Sequence, residues 1–512
     1  MSAEPGLRRT MMTVSTIAAT LMQSLDTTIA NVALPYMQGS LSASQDQINW
    51  VLTSYIVAAA IMTAPVGWVA SRFGRKRIYI LCAAGFTFAS VLCGLAQDIE
   101  QMVLFRLLQG IFGAALVPLA QAIMLDSYAL HERPKAMSIW GMAVMMGPIM
   151  GPSLGAWLTE AYSWHWVFFV NLPVGLLAVA GLIIFMDETH KNQEMRFDWF
   201  GFTALAVGIG SLQLALDRGE QLDWLQSREI VIELIIAGIG FYYFLAHSLT
   251  TANPFVQFAL FKDKNFVGGC VFMTVVPLVM YSTMALATPY LENIQGYPIL
   301  TAGWLLASRG LGTFFSMMLV SRLMRYIEAR TLIISGLLAT CSSLYAMTGW
   351  TEQTSFNEVA LVSTLQGFGF GLVFVPLSTV TFLTLSPKLR GDGTSMLTLL
   401  RNVASSIGIS IVIAQLTSGT KQTYARLSEH VTPFNHALQM PDVRSLLDLG
   451  TNGGRAMMDG LLNMQASIIA FTLDYELVMI FILASIPLVF LLGSSKAALR
   501  KQGAGAEHTV IE

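Results

Sequence analysis

Charged residues are scarce in this chain. Of its 512 residues only 12% are Asp, Glu, Lys or Arg, whereas 54% are hydrophobic. An ordinary soluble domain carries about 25% charged residues, so this composition excludes a water-soluble globular protein. The net charge is also close to zero, at −2. A protein that binds nucleic acid usually shows a clear excess of basic residues, and we therefore expect no nucleic-acid partner.

Catalytic and metal-binding patterns are absent as well. The four cysteines have no metal-type spacing and lie in apolar segments, so they predict neither a disulfide framework nor a zinc site. They are Cys82, Cys93, Cys270 and Cys341. No P-loop occurs, which excludes ATP as an energy source, and no His, Asp or Glu cluster has catalytic spacing. We expect no enzyme activity, no cofactor and no metal.

Long apolar runs are abundant. A helix needs roughly 20 apolar residues to cross a bilayer, and about fourteen runs reach that length. The sequence therefore predicts an all-α polytopic membrane protein. The predicted spans are 11–34, 48–70, 78–96, 102–125, 136–158, 165–186, 199–216, 230–249, 266–290, 301–324, 331–350, 358–384, 393–416 and 474–493.

Basic residues in the loops predict the orientation. The short loops on one side carry only Arg218 and Arg228, and the positive-inside rule assigns the other side to the cytoplasm. Both termini are then cytoplasmic. No Asn-x-Ser/Thr sequon occurs, which is compatible with a bacterial inner membrane. The cytoplasmic loops carry Arg72, Arg75, Lys76, Arg77, Arg133, Lys135, Lys191, Arg196, Lys262, Lys264, Arg322, Arg325, Arg330, Lys388 and Arg390.

One pattern occurs twice in the chain. Leu108-Gln109-Gly110 recurs as Leu365-Gln366-Gly367, and Arg133, Ser138 and Gly151 match Arg390, Ser395 and Gly408 at the same offset. Parallel repeats of six spans are typical of transporters with two halves around a cavity. We predict an N-terminal half at 1–190, an inserted two-helix hairpin at 191–265, and a C-terminal half at 266–512 that includes an outer loop at 417–473.

The first span contains an acid, Asp26, and the fourth contains a base, Arg106. A charge inside a span is costly and marks a functional group with a partner. Gln23, Thr27 and Asn31 share one helical arc with Asp26. One interpretation is that Asp26 binds and releases a proton while Arg106 tunes it. The alternative is a static ion pair that only holds helices together. The repeat places Thr283 opposite Asp26 and Ser363 opposite Arg106, so this pair is expected in the first half only.

Two glycine-containing motifs are candidate moving parts. Gly147-Pro148 and Gly151-Pro152 in the fifth span predict a bent helix with a groove for a neighbour. They suggest a gate between the halves, or a purely structural kink. Between the second and third spans, Gly67, Arg72, Gly74 and Arg75 suggest a cytoplasmic latch, or charge that only sets topology.

Further positions are candidates for a substrate cavity. Besides Gln23, Thr27 and Asn31, these are Gln109, Tyr281, Arg309, Phe374 and Arg401. Arg309 and Arg401 could contact anionic groups of a substrate or pair across helices. The 417–473 loop is long enough to be functional, and we expect it to dock an adaptor protein outside the membrane.

These motifs resemble the major facilitator superfamily. The loop from Gly67 to Arg77, the run from Arg106 to Ala115 and the Gly-Pro run at 147–152 are similar to its signatures. The run from Leu25 to Pro35 and the run from Trp164 to Pro173 resemble its fourteen-span drug:proton antiporters (EmrB/QacA type). Ser71 departs from the aspartate usual at that position of the family.

This resemblance implies proton-driven export of small amphipathic compounds from the bilayer and cytoplasm. It also implies assembly with a periplasmic membrane-fusion adaptor and an outer-membrane channel. The residues alone indicate only a proton-coupled carrier. Uptake or export of a specific metabolite, lipid or siderophore is the alternative, and a membrane enzyme or a sensor are further ones.

Overall fold

A computed structural model describes residues 6–188, 196–251, 254–432, 434–440, 443 and 447–493 of the chain. Regular structure in these ranges is helical throughout, without a strand. The predicted boundary at 190/191, Lys191 and both chain termini lie outside the described residues.

The N-terminal half contains nine helices within the described ranges. They are α1 (Leu7–Ser40), α2 (Gln45–Thr63), α3 (Val66–Phe73), α4 (Arg75–Gly94), α5 (Ile99–Gly113), α6 (Leu116–Ser127), α7 (Arg133–Ala161), α8 (Trp166–Phe169) and α9 (Asn171–Phe185). Several begin at a side-chain cap. Ser44 and Gln47 form a capping box at α2, and Asp98 accepts a bond from Gln101 N at α5, so otherwise unpaired N–H groups are satisfied.

The rest of the described chain adds eight long helices. They are α10 (Trp199–Arg218), α11 (Arg228–Thr250), α12 (Lys264–Pro289), α13 (Ile299–Leu323), α14 (Ala329–Met347), α15 (Phe356–Thr381), α16 (Arg390–Ser428) and α17 (Asn452–Ser485). A π-helical turn, Tyr290–Ile294, continues α12, and a 3₁₀ turn, Ile486–Leu491, continues α17.

The fold is that of a multi-pass membrane protein with about fourteen spans. By length and composition, twelve helices in the described ranges could cross a bilayer, and the pair α2–α3, bent by 57°, makes a thirteenth. The bend lies at Pro65, because a proline ring clashes with the preceding turn of a straight helix. Helix α1 is more polar than these helices, but it packs along α7 and α9 inside the bundle. We count it as the fourteenth span.

Helix neighbours repeat between the two halves. Helix α1 packs against α7 and α9, and α12 packs in the same way against α16 and α17. Likewise α5 lies against α2 and α4, as α15 lies against α13 and α14. Across the halves, the largest contact is between α7 and α13.

The connector at 417–473 is largely helical rather than a loop. Helices α16 and α17 contain 39 and 34 residues, or roughly 50 to 60 Å at 1.5 Å per residue, whereas the bilayer core is only about 30 Å thick. Residues 417–428 and 452–473 belong to these helices. Their polar composition, which suggested a loop, fits helices that pack on each other beyond the membrane.

The inserted hairpin α10–α11 contacts both halves through α10. Thr53 of α2 donates a hydrogen bond to Asp217. On the other side, Gln213 Nε2 donates to Ser406 Oγ of α16 at 2.8 Å, and Ser410 Oγ donates to Leu216 O at 2.7 Å. Helix α10 therefore bridges the two halves with three side-chain hydrogen bonds.

Candidate functional site

Asp26 lies in the middle of α1 and is fully buried. Three side chains donate to its carboxylate. Arg106 Nη1 lies 2.7 Å from Oδ2, Gln109 Nε2 lies 2.8 Å from Oδ1, and Asn171 Nδ2 lies 3.1 Å from Oδ1. Hydrogen bonds to the charged form of an acid stabilise that form, so this arrangement suits an ionised carboxylate.

Arg106 is held as firmly as its partner. Its Nε donates to Val51 O at 3.1 Å, and Nη1 also donates to Gln109 Oε1 at 2.8 Å. The guanidinium carbon lies 4.3 Å from the centre of the Tyr55 ring and 5.7 Å from that of Phe168. Such contacts favour a desolvated cation. Arg106 and Gln109 are three residues apart on α5 and so share the face that meets Asp26.

The remaining polar residues of the α1 stripe are more accessible. Gln23 and Thr27 are partly buried, and Asn31 is exposed. Gln23 Nε2 donates to the Tyr55 hydroxyl at 3.2 Å, and Thr27 Oγ1 donates to Ser24 O at 2.7 Å. Asp26 lies at the edge of this stripe and points into the interior of the N-terminal half. Gln23 thus contacts the ring that covers Arg106.

The structure divides the other candidate cavity residues into two groups. Tyr281 and Arg401 are partly buried and interact electrostatically with each other across α12 and α16. Gln109, Arg309 and Phe374 are instead enclosed. Arg309 Nη1 lies 3.4 Å from Thr283 Oγ1, and Gln109 belongs to the Asp26 site. These three do not line an open cavity in this conformation.

The Gly-Pro run in α7 forms the surface on which α1 packs. Because Pro148 has no N–H, Val144 O lacks its usual helical partner, and Ser24 Oγ donates to it at 2.5 Å. Thr28 Oγ1 donates to Gly147 O at 2.9 Å. A Cβ on Gly147 would lie 2.1 Å from Ser24 O, so only glycine permits this approach. Both hydroxyls lie two residues from Asp26.

The same run also contacts the C-terminal half. Ile149 packs against Gly310 and Ser153 against Gly303, both on α13, so closely that a Cβ on either glycine would lie within 3 Å of them. Gly151 and Pro152 lie between these contacts, and a Cβ on Gly151 would meet Thr28 of α1. The run therefore lies between the Asp26 helix and the opposite half.

The turn between α3 and α4 contributes to an ion-pair network that joins the two halves at one end of the bundle. Arg75 and Asp126 form an ion pair, and Arg390 Nη1 of the C-terminal half lies 2.5 Å from Asp126 Oδ1. Gly74, with φ of 98°, turns the chain from α3 into α4, and Arg72 lies partly buried in the last turn of α3.

Gly67 provides a second cross-half contact at this end. A Cβ on Gly67 would lie 2.3 Å from Asp392 Oδ1, so α3 and α16 approach each other there. Ser138 Oγ of α7 donates to Met317 O of α13 at 2.5 Å. Trp140 stacks on Phe374 with ring centres 5.7 Å apart. The halves are thus in close contact at the end of the bundle where α3 meets α4.

Sequence reasoning assigned no role to three residues that stand out in the structure. Asn171 lies in a motif that was noted, yet a neutral amide gave no signal of contact with Asp26. Asp126 lay at a predicted span end, where a solvated acid is ordinary. The predicted last span begins at Asp474. The structure instead places this residue inside α17, where it is fully buried, and neither carboxylate oxygen has a hydrogen-bond partner among the described residues.

Comparisons with known proteins agree with this geometry. A family model described as Major Facilitator Superfamily matches residues 16–409. The multidrug export protein EmrB of Escherichia coli strain K12 is 34% identical over 436 residues, covering 84% of each chain. The fatty acid resistance protein FarB of Neisseria gonorrhoeae is 34% identical over 429 residues, covering 83% of this chain and 84% of that protein.

A solved structure shows the same fold. The human organic anion transporter MFSD10 (TETRAN) superposes with a TM-score of 0.58 at 14% identity, covering 94% of this chain and 100% of that one. At this identity the likeness concerns the fold alone.

Proposed function

The chain belongs to the major facilitator superfamily, among drug:proton antiporters of the EmrB type, and from that premise we propose that it exports amphipathic toxic compounds in exchange for protons. The observation that carries the proposal is the buried ion pair between Asp26 and Arg106 on helices that meet inside one half. A proton on Asp26 would cancel one charge of this pair and weaken three hydrogen bonds at once.

Helix α1 provides the connection from this carboxyl to the interface. Ser24 and Thr28, on either side of Asp26, bind backbone oxygens of the Gly-Pro run of α7. The opposite face of that run packs against α13. A shift of α1 on protonation would therefore reach the contact between the halves. We propose Gly147, Pro148, Gly151 and Pro152 as this gate, and Gly67, Arg72, Gly74 and Arg75 as part of the cytoplasmic latch.

The driving force is sufficient for export. Each proton that moves inward across 100 mV supplies about 2.3 kcal/mol. For an uncharged substrate, that energy supports a concentration ratio of roughly fifty, since about 1.4 kcal/mol corresponds to a factor of ten. A pH gradient of the same sign adds to it.

We propose that Gln23, Thr27 and Asn31 of α1 face the substrate together with Tyr281 and Arg401 of the second half. These side chains are polar or aromatic and partly accessible. Such a mixture suits amphipathic molecules, in keeping with the names of the two relatives. The cation of Arg401 favours a second candidate function, transport of one anionic metabolite or lipid, for which the fatty acid resistance protein gives a precedent in name.

The location proposed is a bacterial inner membrane with both termini in the cytoplasm. The outer extensions of α16 and α17 are the proposed docking site for a periplasmic adaptor, which would connect to an outer-membrane channel. Replacing residues 421–460 by a short Gly/Ser linker tests this. Adaptor co-purification should be lost while transport in vesicles persists, and intact co-purification would refute the docking site.

Transport in sealed, oriented proteoliposomes tests the main proposal. An imposed gradient, acidic and positive on the outer side, should drive a fluorescent cationic compound outward with matching proton entry. Dissipating both the pH difference and the voltage should stop accumulation. Unchanged accumulation would overturn proton coupling, and flux in the opposite direction would favour uptake.

A further inference from the structure

The C-terminal half contains a buried acid of its own. Asp474 lies in α17 with no exposed surface, within a stretch of the chain that is apolar enough to cross the bilayer. Neither of its oxygens accepts a hydrogen bond from any described residue, and it forms no ion pair with any of them. Asp26, by contrast, has three donors.

In the helix order, Asp474 lies on the last long helix of the second half, as Asn171 lies on the last helix of the first. Asn171 follows the buried Phe168 by three residues on the last helix of its half, and Asp474 follows the buried Phe471 by three residues on the last helix of the other. Helix α17 packs against α12 and α14, as α9 packs against α1 and α4. Asn171 binds Asp26, and the residue opposite Asp26 in the repeat is the neutral Thr283.

A base is also present in this half, on a different helix from the one used in the first half. Arg309 of α13 lies 3.4 Å from Thr283 Oγ1, and its Nε and Nη2 are buried without a described partner. The guanidinium interacts electrostatically with Tyr475, the residue after Asp474, whose hydroxyl is likewise unpaired among described residues. Asp474 and Arg309 form no ion pair among the described residues.

None of the titratable side chains on the helices and turns around α17 forms an ion pair or a hydrogen bond with Asp474 in the described part of the chain. On the helices and turns around α17, these groups are Lys264, Cys270, Tyr281, Tyr290, Glu292, Arg309, Arg330, Cys341, Tyr345, Arg390, Asp392, Arg401, Lys421, Tyr424 and Arg426.

Burial without a partner then determines whether the Asp474 carboxyl carries a proton. An ionised carboxylate without a partner is strongly disfavoured in an apolar interior, and it becomes neutral instead. The surroundings of Asp26 differ, because Arg106 and two side-chain amides donate hydrogen bonds to its carboxylate.

We propose that Asp474 is a second proton-binding carboxyl of the transporter, loaded in the conformation whose cytoplasmic ends are closed. This rests on the proposed proton exchange and adds a second proton to the cycle. When the halves open toward the cytoplasm, the acid O–H bond breaks, the proton passes to water on that side, and water hydrates the carboxylate that remains. Reloading takes a proton from water on the outer side.

The number of protons exchanged per substrate tests the proposal. In proteoliposomes the voltage that halts net transport of an uncharged substrate, at a fixed pH difference and substrate gradient, gives this ratio. The ratio should fall by one proton in Asp474→Asn. The control, Asp223→Asn, changes an exposed acid between α10 and α11 and should keep the wild-type ratio. An unchanged ratio in Asp474→Asn would overturn the inference, while loss of all proton dependence in wild type would instead overturn the proposed function.

Infrared difference spectroscopy gives an independent readout. The wild-type protein should show a carboxylic-acid C=O band that disappears on alkaline titration and is missing in Asp474→Asn but present in Asp223→Asn. If Asp474→Asn does not fold, Asp474→Glu takes its place, and the band should shift with the changed acid. A band that is the same in the wild type and the Glu variant would contradict the proposal.

Discussion

Arg390 and Asp126 form an ion pair that connects the two halves of this transporter. Arg390 Nη1 lies 2.5 Å from Asp126 Oδ1, and the same carboxylate binds Arg75. One acid of the first half therefore receives a cation from each half. The family aspartate that Ser71 replaces is not needed for a charge at this site, because α6 supplies Asp126.

We predict that Asp126→Asn opens the cytoplasmic side. Removing the shared charge weakens two partly exposed ion pairs, worth about 1 kcal/mol together, so the open population should rise roughly fivefold. Maleimide labelling of a cysteine at Ser138, in a background without the four native cysteines, measures this. The control is Asp187→Asn, which breaks the pair with Arg8 inside one half. Equal labelling in both variants would contradict the latch.

Asp26→Asn should abolish proton-driven export while substrate binding stays measurable. Asparagine cannot titrate, and the Arg106 charge would remain without its counter-ion. Export from cells and equilibrium binding of a fluorescent substrate check the two parts. The exposed Asp223→Asn should behave as wild type. Full export by the Asp26 variant would remove this residue from the coupling mechanism.

Arg106→Lys should fail although it keeps the charge. A lysine can reach Asp26 but cannot also bind Val51 O and Gln109 as the guanidinium does. Export should fall to a tenth or less, the effect of about 1.4 kcal/mol or more. Initial export rates at matched expression measure it, with Arg228→Lys at the first residue of α11 as the comparison. Wild-type rates would mean that charge alone suffices.

Gly147→Ala should destabilise the protein by about 1–3 kcal/mol, the usual cost of overpacking. The new methyl group would collide with Ser24 O on α1. Gly460→Ala offers a matched control, because nothing lies within 4 Å of its Cβ position in α17. That variant should gain up to about 1 kcal/mol from helix propensity. Thermal unfolding in detergent separates the two, and equal midpoints would show that α1 and α7 do not approach this closely.

The sequence predicts some parts of this molecule well. The all-α fold of about fourteen spans is confirmed, since apolar length alone identifies helices in a bilayer. Two opposite charges in apolar runs must find partners, which is why Asp26 and Arg106 could be paired in advance. Asn171 could not be found in this way, because a neutral amide in a span has no single preferred partner.

Other features depend on tertiary structure. Asp126 and Arg390 are far apart in the chain, and only the docking of the halves brings them together. Asp474 was missed because a polar residue at the edge of an apolar run resembles a span boundary. The outer parts of α16 and α17 are polar, and a polar segment gives the same signal whether it is a solvated helix or a loop.

Helix α10 restricts how the two halves can move relative to each other. It is hydrogen-bonded to α2 through Thr53 and to α16 through Ser406 and Ser410. Helices α2 and α16 therefore cannot separate unless some of these hydrogen bonds break. If the halves move against each other as proposed, these hydrogen bonds favour a rotation about α10 over a separation of α2 from α16.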